Sequence, residues 1–388
     1  MNLPLSLIIL GAGNSQLPII KKAKNMNYTV FAIDKNPQAP GFEYADFTIN
    51  VSTLNTKKIL FELKKFQNNY DFKGIVSRTT GEPLLTAATI SREFHLPGLI
   101  DDLVHTAISK SKFRNFCFSH NILFPKGKKI NSTKKLNLED IEFPVILKPD
   151  LTNLGKTNIF LCETTDDFLN YFQTVSNTSF NTFVELESFV DGIDVTCACL
   201  TNSGNIDFIA WWDELVGITT DNEIVSIGVS IPSVINLTKT KKHAESIVQK
   251  ILSFFPTLNA LILISFRISM TGTPFVIELH LDLGGDLIAD ELLPIANPEF
   301  DYFETVIKIA TNTLTNVTPI EFQPTVMYYL SKNSNSNQST SARYSDHSII
   351  QNNSIQKNLI ELKSFLTTRK LDLKFFPKHK EWLDKNHS

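Results

Sequence analysis

The sequence predicts an N-terminal α/β domain with a parallel sheet, followed by α+β lobes and a small C-terminal region. Three observations carry that expectation. A buried apolar strand, a glycine turn and an amphipathic helix open the chain, and the pattern repeats. Beyond about residue 125, strands come in pairs with helices between them. From 331 to about 355 the chain is rich in Ser and Asn with few apolar residues, the composition of a loop or linker.

Residues 5–10 (LSLIIL) are almost wholly apolar, as in a strand covered on both faces. Gly11 and Gly13 make a turn, and Pro18 stands in the first turn of the helix that follows, where a missing N–H costs nothing. Leu17, Ile20 and Ala23 give that helix an apolar face, and the lysines between them a solvated one. A second strand, 29–33, ends at Asp34. Ile59, Leu60, Leu63 and Phe66 recur at helical spacing, 74–77 is a short strand, and Glu82 with Pro83 opens another helix. This domain is expected to span 1–108. A helix at 109–120 comes next, then strands at 144–149, 157–163 and 182–186 around a helix with Phe168, Phe172 and Val175. Longer strands at 193–200 and 205–212, a helix at 240–254, and strands at 260–269 and 274–282 complete the lobes. A short helix with Leu359, Leu362 and Phe365 and a polar tail close the chain.

Composition narrows the function. The net charge is −3 over 388 residues, so no global basic field recruits nucleic acid or an anionic membrane. The first apolar run, 3–10, is too short to span a bilayer and lacks a basic segment before it. Cys117, Cys162, Cys197 and Cys199 form no CxxC pair, and Cys197 and Cys199 alternate toward one face of a strand. They read as reduced core residues of a soluble, cytoplasmic protein.

Several segments carry chemistry. GAGNSQ (11–16) has two glycines of a dinucleotide fingerprint, with Gln16 where a third would stand, and Asp34 lies where a ribose-binding acid belongs. The plain alternative is a βα turn that needs glycine for its backbone. In PVILKP (144–149), Lys148 ends an apolar strand, a costly place for a charge without a partner. Together with Lys110, in SKSKFRNFCFSHNILFP (109–125), it suits a polyphosphate, although Lys110 alone is equally an ordinary surface lysine. NLGKT (153–157) reads either as a hairpin turn or as a loop donating backbone N–H groups to phosphate through Gly155 and Lys156. FVELESFVDGID (183–194) sets Glu187, Val190, Gly192 and Asp194 after an apolar strand. In SFRISMTGTPFVIELHLDLGGD (265–286), Glu278, His280 and Asp282 alternate on a strand and so point one way.

These segments resemble the ATP-grasp ligases over roughly residues 5–320, in the branch of carbamoyl-phosphate synthase and biotin carboxylase. The resemblance implies a Rossmann-like pre-ATP-grasp domain, then a two-lobed ATP-grasp domain (109–320) with a small lobe at about 125–190 and a large one at about 190–320. The region 321–388 matches nothing in that family. By motif, Lys110, Lys148, Gly155 and Lys156 would meet the phosphates of ATP, Glu187 the adenine amino group, Val190 the base through its backbone, and Asp194 the ribose. Glu278 matches an acid that bridges Mg²⁺, while Ser265, His280 and Asp282 stand where the family has an acid, an asparagine and an arginine. Glu278, His280 and Asp282 are thus the expected metal face, and Arg267 a candidate for stabilising negative charge in catalysis.

The implied reaction phosphorylates a small-molecule carboxylate and lets an amine or similar nucleophile attack the acyl phosphate, releasing ADP and phosphate. In SRTTGE (77–82), Arg78 and Glu82 follow a strand and open a helix, where open α/β sheets place ligands. Arg78 is either a carboxylate clamp or a solvated loop residue. A homodimer is compatible with the sequence. Two other classes stay open: a catalytically silent nucleotide-binding protein, on Ser265, His280 and Asp282, and a nicotinamide oxidoreductase, on Gly11, Gly13 and Asp34.

Overall fold

The computed structural model describes residues 3–152, 156–285, 287–314, 320–329, 347–352, 354–368, 373–375 and 377–386. Its N-terminal sheet is parallel, in the order β3-β2-β1-β4, built from β1 (Leu5–Leu10), β2 (Thr29–Asp34), β3 (Phe47–Asn50) and β4 (Asp71–Ser77). The helices are α1 (Leu17–Asn25), α2 (Thr56–Lys64) and α3 (Pro83–Glu93). Leu7 and Ile9 of β1 pack with Ile19, Ile20 and Ala23 of α1, whereas Ile8 and Leu10 join Phe31, Ile59 and Leu63 on the opposite face. A strand with two buried faces has no room for a polar stripe, hence its continuous apolar run.

Two helices, α4 (Asp101–Ala107) and α5 (Lys110–Ser119), lead to the small lobe. Its antiparallel sheet runs β5-β8-β6-β7, from β5 (Gly127–Ile130), β6 (Val145–Pro149), β7 (Phe160–Cys162) and β8 (Val184–Ser188). Helix α6 (Thr165–Thr178) backs it, opened by a reciprocal capping box between Thr164 and Asp167. Phe168, Phe172 and Val175 of α6 bury Leu147, Val184 and Leu186.

The large lobe is an eight-stranded sheet, β13-β12-β9-β10-β11-β14-β15, with β16 paired to β10. Its strands are β9 (Gly192–Asn202), β10 (Asn205–Thr219), β11 (Ile224–Ile231), β12 (Asn259–Ser269), β13 (Pro274–His280), β14 (Thr325–Tyr329), β15 (His347–Gln351) and β16 (Leu373–Phe375). The helices are α7 (Lys239–Leu252), α8 (Leu293–Ala296) after a π-helical turn Ile288–Leu292, α9 (Tyr302–Ala310), α10 (Ile355–Thr368) and α11 (His379–Asn386). One face of β9 sends Val195, Cys197 and Cys199 against Val248 and Ile251 of α7. The other face sends Ala198 and Leu200 into a core shared with α1 and α9, which seats the N-terminal domain on the large lobe. All four cysteines are free and buried, and burial pushes the Cys117 and Cys162 thiols up to about 12.

β14, β15 and β16, from the expected C-terminal region 321–388, extend the large-lobe sheet. Three expectations need correction. The strand at His347–Gln351 lies inside the segment expected to be a linker, most of whose remainder lies outside the described residues. The closing polar tail contains α11, which buries His379, Trp382 and Leu383. The strand expected to run to 282 ends at His280. Among the described residues no helix is long and apolar enough to cross a membrane.

Candidate active site

β6 and β8 run antiparallel, with Lys148 opposite Glu185 and Ile146 opposite Glu187. Since Leu147, Val184 and Leu186 turn to α6, alternation sends Lys148, Glu185 and Glu187 to the other face. Lys148 Nζ lies 2.8 Å from Glu187 Oε1, and both side chains are 4% exposed. Burial works against the ammonium, but Glu187, Glu278 and Glu185 outweigh it and raise the Lys148 pKa above its ordinary value. Glu185 in turn accepts from Nε of Arg114 on α5.

Lys110 reaches the same place by another route. It is the first residue of α5, and Asp150 fastens that helix end to the residue after β6. Asp150 Oδ1 accepts from Ser111 N at 2.8 Å and from Ser109 Oγ at 3.0 Å, while Oδ2 pairs with Lys129 at 2.7 Å. Burial would raise the Asp150 carboxyl, but Lys129 and Ser111 hold it at about 2. Lys110 Nζ then meets Glu278 Oε1 at 2.7 Å. Burial opposes the Glu278 charge as well, yet Lys110, His280 and Lys148 keep its carboxyl far below the usual range.

The opposite wall is the large-lobe sheet. Glu278 of β13 is paired with Ser265 of β12, and Ser265 with Thr196 of β9. A chain of polar groups follows: Ser265 and Thr196 hydroxyls 2.9 Å apart, then Thr196 Oγ1 donating to Glu214 Oε1 at 2.7 Å. Glu214, on β10, also pairs with Lys156, and its pKa is lowered by Lys156 and Thr196 despite burial. Sequence reading missed Glu214; a carboxylate inside the apolar run of residues 208–218 was the available signal.

Asp194 begins the same sheet. Arg267 Nη1 donates to Asp194 Oδ1 at 3.0 Å and its Nε to the Val190 carbonyl at 2.8 Å. Arg267 thus holds the hinge between lobes and does not line the cavity. That cavity, about 380 Å³, lies between the N-terminal domain and the two lobes and is lined among others by Lys110, Lys156, Asp194, Glu214, Glu278, His280 and Asp282. Lys148 and Glu187 sit behind its wall.

Glu278, His280 and Asp282 all line this cavity, with Glu278 Oε2 3.8 Å from His280 Nε2. Among the described residues, no three His, Cys, Asp or Glu side chains converge closely enough to hold a metal. Asp282 lies past the end of β13, where its Oδ1 accepts from Gly284 N at 3.2 Å. Arg78 lines the cavity, but its fork engages Asp290, with Nη1–Oδ1 at 3.0 Å, and Ser15 O at 2.8 Å. Glu82 is exposed and off the cavity wall, while its neighbours Gly81 and Leu84 line it. Gly155 lies outside the described residues.

The glycine turn is filled by the protein itself. Gly11 has φ +88°, and a Cβ there would press on the Gln16 side chain. Gln16 Oε1 accepts from Gly13 N at 3.0 Å and its Nε2 donates to the Arg78 carbonyl. Asp34 accepts from Ala12 N at 2.9 Å and Asn36 N at 2.8 Å.

The small lobe is also tied to the β10–β11 hairpin. Leu161 N donates to Asn222 O at 2.9 Å and Ile224 N to Ile159 O at 2.8 Å, beside the Lys156–Glu214 pair.

The chain matches no family model and no curated protein. Solved structures do match. One is an N5-carboxyaminoimidazole ribonucleotide synthetase in its ADP complex, at 16% identity and TM-score 0.71, covering 95% of this chain and 98% of that one. Another is the biotin carboxylase domain of 2-oxoglutarate carboxylase from Hydrogenobacter thermophilus, a dimer with MgADP, ADP and bicarbonate, at 14% identity and TM-score 0.68 over 98% and 95%. A third is an L-amino acid ligase from Bacillus licheniformis, at 17% identity and TM-score 0.66 over 85% and 80%. The chain has the ATP-grasp fold that these enzymes share.

Proposed function

We propose that this ATP-grasp chain is an ADP-forming ligase that uses MgATP to join a small-molecule carboxylate to an amine or similar nucleophile. The observation that carries the reading is that Lys110 and Lys148 both act on Glu278, Lys110 and Glu278 in the cavity wall and Lys148 behind it. Two lysines and a carboxylate, from α5, β6 and β13, are brought there by separate packing constraints, an arrangement suited to a polyphosphate and its cation. The solved structures with ADP and MgADP support the same cleft use, and the L-amino acid ligase supports the reaction class.

The donor set fits magnesium in one particular way. Mg²⁺ is commonly held by one or two carboxylates plus the phosphates it serves, without an all-protein cage. Glu278, ionised and facing the cavity, and Glu214, ionised across the Ser265–Thr196 chain, are the hard oxygen ligands available; the His280 imidazole suits other metals better. When bound, the cation neutralises phosphate charge and polarises the transferred group.

The chain's own residues do the rest. Lys110 meets the phosphates from the cavity wall, and Lys148, kept charged by its carboxylate neighbours, adds positive charge from behind it. Asp194 orients the nucleoside through its ribose, Arg267 sets Asp194 in place, and Glu187 holds Lys148 through their ion pair. The cavity between the N-terminal domain and the large lobe excludes water from the reacting groups. Arg78 maintains that junction through Asp290 in place of clamping substrate.

The Lys148→Ala variant tests this reading by calorimetric titration with ATP and Mg²⁺: binding should vanish or weaken severely, and unchanged affinity refutes the site. A second reading, a silent nucleotide-binding protein, is favoured by Ser265 at the expected acid position and by the lack of a three-ligand cluster among the described residues. Phosphate release from ATP across a panel of amino acids separates the two. A nicotinamide site gains no support, because Gln16 and backbone N–H groups occupy the groups it would use.

A further inference from the structure

We propose that α11 is a positioning element for the hinge segment 190–194, and that His379 is the residue through which it acts. The inference rests on the reading of that segment as the nucleotide contact, and it concerns a part of the chain with no role in that reading.

Helix α11 and the residue before it touch the hinge and its support at four points. His379 Nε2 lies 3.2 Å from the Asp194 carbonyl oxygen. Trp382 Nε1 donates to the Ser269 carbonyl at 2.8 Å, and Asn386 Nδ2 to the Met270 carbonyl at 3.3 Å. Lys378 Nζ lies 2.7 Å from Asp191 Oδ1. Ser269 is paired with Gly192 across β12 and β9, so the two indole and amide bonds secure the strand on which the hinge leans. The Lys378 pair is exposed and contributes little.

His379 differs from the others because it bonds the backbone of a residue whose side chain faces the cavity. It is 1% exposed, and a carbonyl partner requires the Nε2–H tautomer. Burial holds its pKa down to about 4, so the ring is neutral and serves as a fixed donor. From the other side Arg267 grips the Val190 carbonyl and the Asp194 carboxylate. The hinge backbone is thereby held between β12 and α11: one partner sets the Asp194 side chain, the other its main chain. A site whose positioning shell is loosened loses affinity without losing its chemistry.

The test uses the full chain with His379→Leu, which keeps the apolar packing and removes the donor, and His379→Gln, whose amide nitrogen can restore it. ATP affinity and KM for ATP should worsen about fivefold in His379→Leu with kcat and melting temperature near those of the wild type, as expected for one lost hydrogen bond at a positioned group. The Gln variant should recover most of the affinity. Hydrogen exchange read without nucleotide should speed at residues 190–196 in His379→Leu and stay unchanged along β10. Wild-type ATP affinity together with unchanged exchange in His379→Leu overturns the proposal, as does a loss that Gln does not reverse and that a fall in melting temperature matches. If the wild type binds no ATP, the reading of the cleft fails, and the exchange data still decide whether α11 braces the hinge.

Discussion

Arg78, on the loop that leaves the N-terminal sheet, and Asp290, on the π-helical turn of the large lobe, form a two-pronged ion pair although 212 residues separate them in the chain. Arg78 is 5% exposed on its side chain and also stacks over Phe303 at 5.1 Å. The pair rivets the N-terminal domain to the large lobe beside the cavity.

Removing one partner strands the other. Asp290→Ala should cost about 2–3 kcal/mol, since a buried guanidinium loses its counter-charge, with some relief from the partial exposure of Asp290. Urea denaturation measures it. A change below about 0.5 kcal/mol would mean that the junction does not depend on this pair.

Glu278→Gln keeps the shape of the site and removes its charge. Phosphate release should fall by about a hundredfold or more, the scale on which a group that organises transition-state charge acts. Binding of ATP without Mg²⁺ should survive, because Lys110 and Lys148 are then freed of a competitor. Parallel calorimetry and phosphate assays separate the two effects; an unaltered rate would remove Glu278 from the chemistry.

Asp213 gives a pH signature. It is fully buried, and burial lifts its carboxyl from 3.8 to about 7, against the opposing bonds from Ser233 and Val234. The folded chain therefore holds this proton more tightly than the unfolded one, so its stabilising contribution is complete below pH 3.8 and fades as pH rises through about 7. Melting temperature should drop between pH 5 and 8 more in the wild type than in Asp213→Asn. Parallel profiles for the two proteins would contradict this.

Gly192 stands where β9 and β12 approach so closely that a Cβ would overlap the Ile268 carbonyl. Gly192→Ala must part the strands or shift the hinge, at an expected cost of about 3 kcal/mol by thermal or urea melting. Nucleotide affinity should fall as well, because Asp194 lies two residues on. A variant as stable as the wild type would show that the strands can yield.

How far the sequence could be read depended on the range of the interaction. Lys148 declares itself because a charge at the end of an apolar strand is costly and needs a local reason, whereas Glu187 and Asp194 are picked out by a motif resemblance. That the N-terminal sheet is parallel follows from the alternation of strands and helices. Glu214 offers only its place inside an apolar run: its partners Thr196 and Lys156 come from β9 and from the segment between β6 and β7, and only the fold shows that they meet. β3 is short and half exposed, with little apolar pattern to betray it. The reach of Asp282 was misread because alternation was extended past His280, where β13 stops. Helix α11 escaped notice because its sequence is polar on all but His379, Trp382 and Leu383, and those find their partners far away in the chain.

The bonds between the small lobe and the β10–β11 hairpin have a consequence for access to the cavity. To let a nucleotide in or out by swinging the small lobe away, the molecule must give up two backbone bonds and the Lys156–Glu214 pair. At about 1 kcal/mol each this favours the shut state by roughly a hundredfold. On the proposed reading, entry to the cleft then depends on a rare excursion in which the Asn222 tip lets go.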